Sequence, residues 1–131
     1  MSEQNLDRLC AQYGWQMAQQ VYEALGKAAE THINKSLGVL QEDGVYAFFL
    51  YQVSRGKREK RGAERLKKQA QSLLKSVPIQ PFNVIGDPLE AVRGNGSVAG
   101  LADNLDDLLL AKRLLEQALI YARYHAKALG G

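Results

Sequence analysis

Between Arg55 and Lys75 the chain places nine cationic side chains, Arg55, Lys57, Arg58, Lys60, Arg61, Arg65, Lys67, Lys68 and Lys75, beside only two acids, Glu59 and Glu64. The segment carries +7, while the eight cations and twelve acids elsewhere leave −4, so the formal net charge of +3 hides a strong asymmetry. Guanidinium and ammonium groups at this density do polyanion chemistry. Each contact to a phosphate releases condensed counterions, whatever the base sequence. The competing interpretation is a solvated face that keeps a small protein soluble.

Helical geometry favours the first. With Lys57 at zero and about 100° per residue, Ala63, Leu66, Ala70, Leu73, Leu74 and Val77 gather between about 160° and 260°. Arg61, Arg65, Lys68 and Lys75 fall between about 0° and 80°, Arg58 sits near 100°, and Lys60 and Lys67 occupy the opposite shoulder. The pattern predicts a helix from Lys57 to Val77, docked by a narrow Leu/Ala stripe and cationic over its outer face. Oppositely charged neighbours at spacing four are few, which limits neutralisation within the helix. The ridge Arg58, Arg61, Arg65 and Lys68 is the first candidate for phosphate contact, with Lys57, Lys60, Lys67 and Lys75 second. Lys112, Arg113, Arg123 and Lys127 come third, because they extend the surface only where the last helix lies beside this one. Few aromatic residues accompany these charges, so base stacking is not expected.

Other patterns carry less. Gly94-Asn95-Gly96-Ser97-Val98-Ala99 matches G-x-G-x-x-A, but no strand precedes it and no parallel sheet can form around it, so it reads as a flexible linker. His32 and His125 lie far apart with no carboxylate at metal-pair spacing, and read as core or surface histidines. The acid pairs Glu42/Asp43 and Asp106/Asp107 point to different helix faces and form no local dyad. No Gly-x-Ser-x-Gly, Walker-type loop or Cys/His cluster is present. The pattern supports no catalytic, metal or cofactor site.

The elements that must hold the basic segment are helical nearly throughout. Leu6, Cys10, Tyr13, Met17, Val21 and Leu25 mark an amphipathic helix from Glu3 to Ala29. A looser stretch follows to Asp43, with Ile33, Leu37 and Leu40 suggesting a short helix and Asp43-Gly44 a break. Val45 to Val53 is rich in branched and aromatic residues that favour a strand. It is nonetheless expected to be a buried helix, because no second strand exists to pair with it. Pro78 to Gly100 is irregular, apart from Asp87-Pro88-Leu89-Glu90, which has the cap, first-turn proline and third-position acid of a helix start. Gly94 ends that helix. A last helix runs from Ser97 or Asp103 to Leu129, with Asp103, Asp106 and Asp107 at its start and Lys127 near its end complementing the dipole.

These expectations describe one all-α domain over residues 1–131, a compact bundle of five to six helices with long first and last members. At 46% hydrophobic residues and three prolines the chain is not disordered. Its single cysteine, Cys10, lies in an apolar stripe and reads as a buried spectator. With no run of about eighteen apolar residues and no basic-apolar leader, the expected location is the cytoplasm, away from membranes.

The stretch from Ile33 to Leu50, Ile33-Asn34-Lys35-Ser36-Leu37-Gly38-Val39-Leu40-Gln41-Glu42-Asp43-Gly44-Val45-Tyr46-Ala47-Phe48-Phe49-Leu50, leads into the basic helix and a long final Leu/Ala helix. In this arrangement it resembles the small all-helical subunit of Cmr-type (type III-B) CRISPR effector complexes. The break Asp43-Gly44-Val45, the turn Arg55-Gly56-Lys57 and the run from Gln117 to Lys127 occupy the places of that family's own break, turn and C-terminal helix. The resemblance implies a non-catalytic subunit of an RNA-guided antiviral ribonucleoprotein. It would stack beside other Cmr effector subunits, self-associate through such stacking, and offer basic faces to guide and target RNA while cleavage belongs to other subunits. A scaffold that delegates sequence recognition to base pairing requires only backbone contacts. Two rivals stand beside this reading: a helical adaptor whose basic face docks on an acidic protein without touching RNA, and an enzyme with a site in the Pro/Gly-rich stretch, which would show turnover by the isolated protein.

Overall fold

A computed structural model describes residues 3–77 and 79–130, with side chains from Asn5 onward. Pro78, at the head of the expected irregular stretch, lies outside the described residues. The fold is all-α. Among the described residues there are six α-helices and no strand: α1 (Glu3–Leu25), α2 (Ala29–Asp43), α3 (Val45–Val53), α4 (Lys60–Lys75), α5 (Pro88–Arg93) and α6 (Leu105–Gly130). At about 1.5 Å per residue, α1 and α6 are rods of about 35–40 Å.

The first helix ends four residues before the expected Ala29. Gly26 takes φ +61°, a conformation that favours glycine, and a 3-10 turn over Gly26–Ala28 feeds directly into α2. That second helix is longer and more regular than its sequence suggests. Its buried face runs Ala29, His32, Ile33, Ser36, Leu37, Leu40, and two of these inward positions are polar. Their partners come from α3: His32 Nε2 bonds Gln52 Oε1 at 2.9 Å, Gln52 Nε2 donates to Ser36 Oγ at 2.9 Å, and Ser36 Oγ donates to the His32 carbonyl at 2.8 Å. A closed buried polar network thus holds α2 to α3.

Helix α3 matches its expected bounds and its expected burial through Val45, Phe48 and Phe49. Strand propensity loses here because Phe48 and Phe49 both enter the core, where Phe49 meets Phe82 at 5.9 Å between ring centroids. Capping of α5 follows the sequence signature: Asp87 accepts from the Glu90 amide at 3.2 Å, Pro88 opens the helix, and Gly94 at φ +80° ends it. The segment read as a flexible linker is a closed loop. Asn95 Oδ1 accepts from the amides of Ser97 and Val98, and Gly94 and Gly100 approach so closely that a methyl on either would strike the other's backbone. Asp103, expected at the start of α6, instead accepts from the Gly100 amide at 2.8 Å, and Asn104 Oδ1 caps α6 through the Asp107 amide.

Helix α1 is the centre of the bundle, packing along α6 on one side and α4 on the other. Against α6 it runs parallel, with Cys10 Sγ donating to the Leu114 carbonyl and Gly14 seated on Ala118 and Ala122 further along. Against α4 it runs antiparallel: Leu25 covers Gly62, Arg65 reaches Gln20 and Glu23, and Tyr13 Oη lies 3.0 Å from Ser76 Oγ. Met17, Val21, Leu66, Leu73, Leu115 and Leu119 are fully buried between them.

Candidate nucleic-acid interface

The basic segment does not begin as helix. Lys57, Arg58 and Glu59 form a turn closed by the Glu59 and Lys60 amides donating to the Gly56 carbonyl, and α4 starts only at Lys60. The reason lies in Glu59. Its carboxylate turns inward to His32 Nδ1 at 3.2 Å and pins the entry of α4 to α2. One of the two acids in the segment is thereby withdrawn from the cations around it. Lys57 and Arg58 are exposed on this turn, outside the helical ridge on which Arg58 was expected.

From Lys60 onward the expected faces hold. Gly62, Ala63, Leu66, Ala70, Leu73 and Leu74 are buried, while Lys60, Arg61, Lys68 and Lys75 are exposed and Lys67 is half-buried. Two of the nine cations are occupied. Arg65 donates to Glu23 Oε2 at 3.0 Å and approaches the Gln20 carbonyl, so a first-choice ridge residue is a clamp between α4 and α1. Arg55 stacks its guanidinium 3.9 Å over the Tyr51 ring and donates to the Tyr51 carbonyl, closing the end of α3. The remaining seven make no ion pair or side-chain hydrogen bond among the described residues. Glu64 is exposed on the same face, three or four residues from Lys60, Arg61, Lys67 and Lys68, so it offsets part of the charge, and the outer face of α4 presents a net positive potential to solvent.

The third group of cations does not continue that surface. Helix α1 separates α6 from most of α4, so Lys112, Arg113, Arg123 and Lys127 lie away from the ridge. Lys112 donates to the Gln41 carbonyl at the end of α2, a helix-terminus contact. Arg113 lines a cavity of about 490 Å³ with Leu6, Asp7, Cys10, Leu110 and Leu114, and Arg123 lies 5.0 Å over the Tyr124 ring. In that cavity burial and the Asp7 carboxylate push the Cys10 thiol up to about 11. A thiol so protonated is a poor nucleophile. Tyr121 donates to Asp7 at 2.8 Å, and the bond raises the phenol above its ordinary value.

The sequence reading missed an aromatic neighbour of the ridge. A groove of about 450 Å³ between α1 and α4 is lined by Tyr13, Trp15, Gln16, Gln19, Gln69 and Ser72, with Gln20 and Glu23 at one end. Trp15 is 50% exposed. A signal existed: on the wheel that collects Leu6, Cys10, Met17 and Val21, Trp15 falls about 180° from Leu6, outside the apolar stripe. Among the described residues no group of His, Cys, Asp and Glu could hold a metal ion, and no helix is long and apolar enough to cross a membrane. Compared with protein-family models, curated proteins and solved structures, the chain matches none.

Proposed function

We propose that this chain is a non-catalytic RNA-contacting subunit of a Cmr-type CRISPR interference particle, packing beside the other effector subunits and touching the phosphate backbone of guide or target strand through α4. The observation that carries the RNA contact is the set of exposed cations on α4, Lys60, Arg61, Lys68 and Lys75, with Lys57 and Arg58 exposed on the turn before it and Lys67 half-buried, none of which forms an ion pair among the described residues. Such a surface suits backbone contact without base specificity. The assignment to the Cmr family rests on the resemblance of the Ile33–Leu50 segment and the final helix, and a cytoplasmic location is part of the proposal.

The test is association with single-stranded RNAs of unrelated sequence over a salt series. Affinity is weak and indifferent to sequence, and its logarithm falls with log salt by about 0.7 per phosphate neutralised. Substituting Arg61→Glu, Lys68→Glu and Lys75→Glu together lowers that slope by about 2 and leaves the helical circular dichroism unchanged. An unchanged slope places the RNA surface elsewhere. Absence of binding at low salt, with capture of an acidic protein through the same residues, establishes the adaptor in its place.

A further inference from the structure

We infer that the groove between α1 and α4 receives one unstacked base of single-stranded RNA, with Trp15 as the stacking surface. The inference rests on the reading of α4 as a phosphate-contacting helix, and adds to it a place for the base.

Three observations converge. Trp15 is a large aromatic held half-exposed on an α-helix, with no ring partner and no polar contact among the described residues. An indole in this situation offers a π face that every base can stack upon. The groove it lines has a volume of about 450 Å³, within the range of about 300–1,000 Å³ typical of small-molecule sites. Its lining is amide-rich: Gln16, Gln19 and Gln69 each bring a donor pair and an acceptor, the complement of a base edge. The single carboxylate at the groove, Glu23, is held by Arg65 and is not aimed at a ligand.

The charges stand where a strand needs them. Lys68 is exposed and immediately precedes Gln69 of the groove wall, and Lys75 is exposed one turn beyond Ser72. On α4 both lysines thus neighbour residues of the groove wall, so a phosphate held by either would lie on the groove's side of the helix. A base paired in a duplex cannot turn into it, so the site selects single strands over duplexes, which the charges alone do not.

Trp15 is the chain's one tryptophan, so its emission reports this site alone. The full chain is titrated with a short end-labelled single-stranded RNA, with anisotropy reading association and tryptophan emission reading stacking. Quenching tracks anisotropy, duplex RNA binds without it, and inorganic polyphosphate displaces the RNA without quenching. Trp15→Ala weakens single-strand binding about tenfold with an unchanged salt slope, whereas Trp15→Phe keeps most of the affinity. Binding with unchanged emission, equal quenching by polyphosphate, or full affinity in Trp15→Ala overturns the stacking site and leaves the phosphate surface standing. Failure of the parent chain to bind single-stranded RNA at low salt overturns both.

Discussion

Two glycines inside helices give opposite responses to the same added methyl group. Replacing a helix-interior glycine by alanine ordinarily stabilises by about 0.5–1 kcal/mol, because alanine loses less backbone freedom on folding. Gly38, in α2, has nothing within 4 Å of the position a Cβ would take, so Gly38→Ala is expected to gain that amount. Gly14, in α1, is the point of closest approach to α6: a Cβ there would lie 2.6 Å from Tyr121 Cβ, 2.7 Å from the Ala118 carbonyl oxygen and 3.1 Å from the Ala122 amide. Non-bonded contacts of this kind are comfortable only at about 3.5–4.0 Å. Two of the three atoms are backbone, so relief requires α6 to move by about 1 Å rather than a side chain to rotate. Overpacking of this kind costs about 1–3 kcal/mol, which exceeds the propensity gain. Gly14→Ala is expected to lose about 1–2 kcal/mol net. Urea denaturation followed at 222 nm measures both, with the m-value unchanged and the midpoint moving down for Gly14→Ala and up for Gly38→Ala. For a chain of this size each kcal/mol corresponds to about 4 °C in Tm. A Gly14→Ala variant as stable as Gly38→Ala would refute the close parallel packing of α1 on α6.

Three further outcomes follow from named contacts. Cys10 resists iodoacetamide in the native protein at pH 8 and is labelled only as the chain unfolds in urea. Its native thiol keeps its proton above the ordinary value of 9.0 up to about 11, so the native state binds more protons than the unfolded chain in that window and stability falls as pH rises through it. Cys10→Ala flattens this part of the pH profile relative to the parent. His32→Ala removes a buried ring and leaves Gln52 Oε1 without its donor; it is expected to cost about 2–4 kcal/mol in urea unfolding. Glu23→Gln releases Arg65 from a half-exposed ion pair, changing stability by less than about 1 kcal/mol. It also raises the salt slope of RNA binding by about 0.7, and an unchanged slope would mean that Arg65 stays turned toward α1.

The order of helices was legible because the patterns are local. Asp87-Pro88-Leu89-Glu90 specifies a helix start within four residues, and the stripe of α4 specifies its docking face within sixteen. What escaped depends on pairs of elements. Helix α2 looked irregular because His32 and Ser36 occupy core positions, a placement that becomes favourable only once Gln52 of α3 satisfies both. The delayed start of α4 traces to Glu59, whose partner His32 lies 27 residues away. A hydrophobicity count cannot register either bond. Ladder-like repetition of glycines between 94 and 100 suggested mobility, yet two of them are needed for close backbone contact rather than freedom.

The same distinction explains the candidate surface. A charge run reports how many cations a segment carries, and a helical wheel reports which of them share a side, but neither reports which are already occupied. Arg55 and Arg65 belong to the run and are used internally, one on the Tyr51 ring and one on Glu23, whereas Lys60, Arg61, Lys68 and Lys75 are left over. The residues that hold α4 in place, Leu66, Ala70, Leu73 and Leu74, contribute nothing to that outer face, and the outer cations contribute little to packing. Stability and polyanion affinity are therefore separable on this helix: substitutions on the outer face alter the salt slope at near-constant stability, and substitutions on the stripe do the reverse. Trp15 departs from this separation only in location. It sits on α1, the helix that also forms the seam with α6, so a strand bound across the groove would engage a firmly packed rod rather than a loop. A base site built on such a rod would have a preorganised backbone, so the ordering cost of binding would fall on the glutamine and lysine side chains at the groove rather than on the helix.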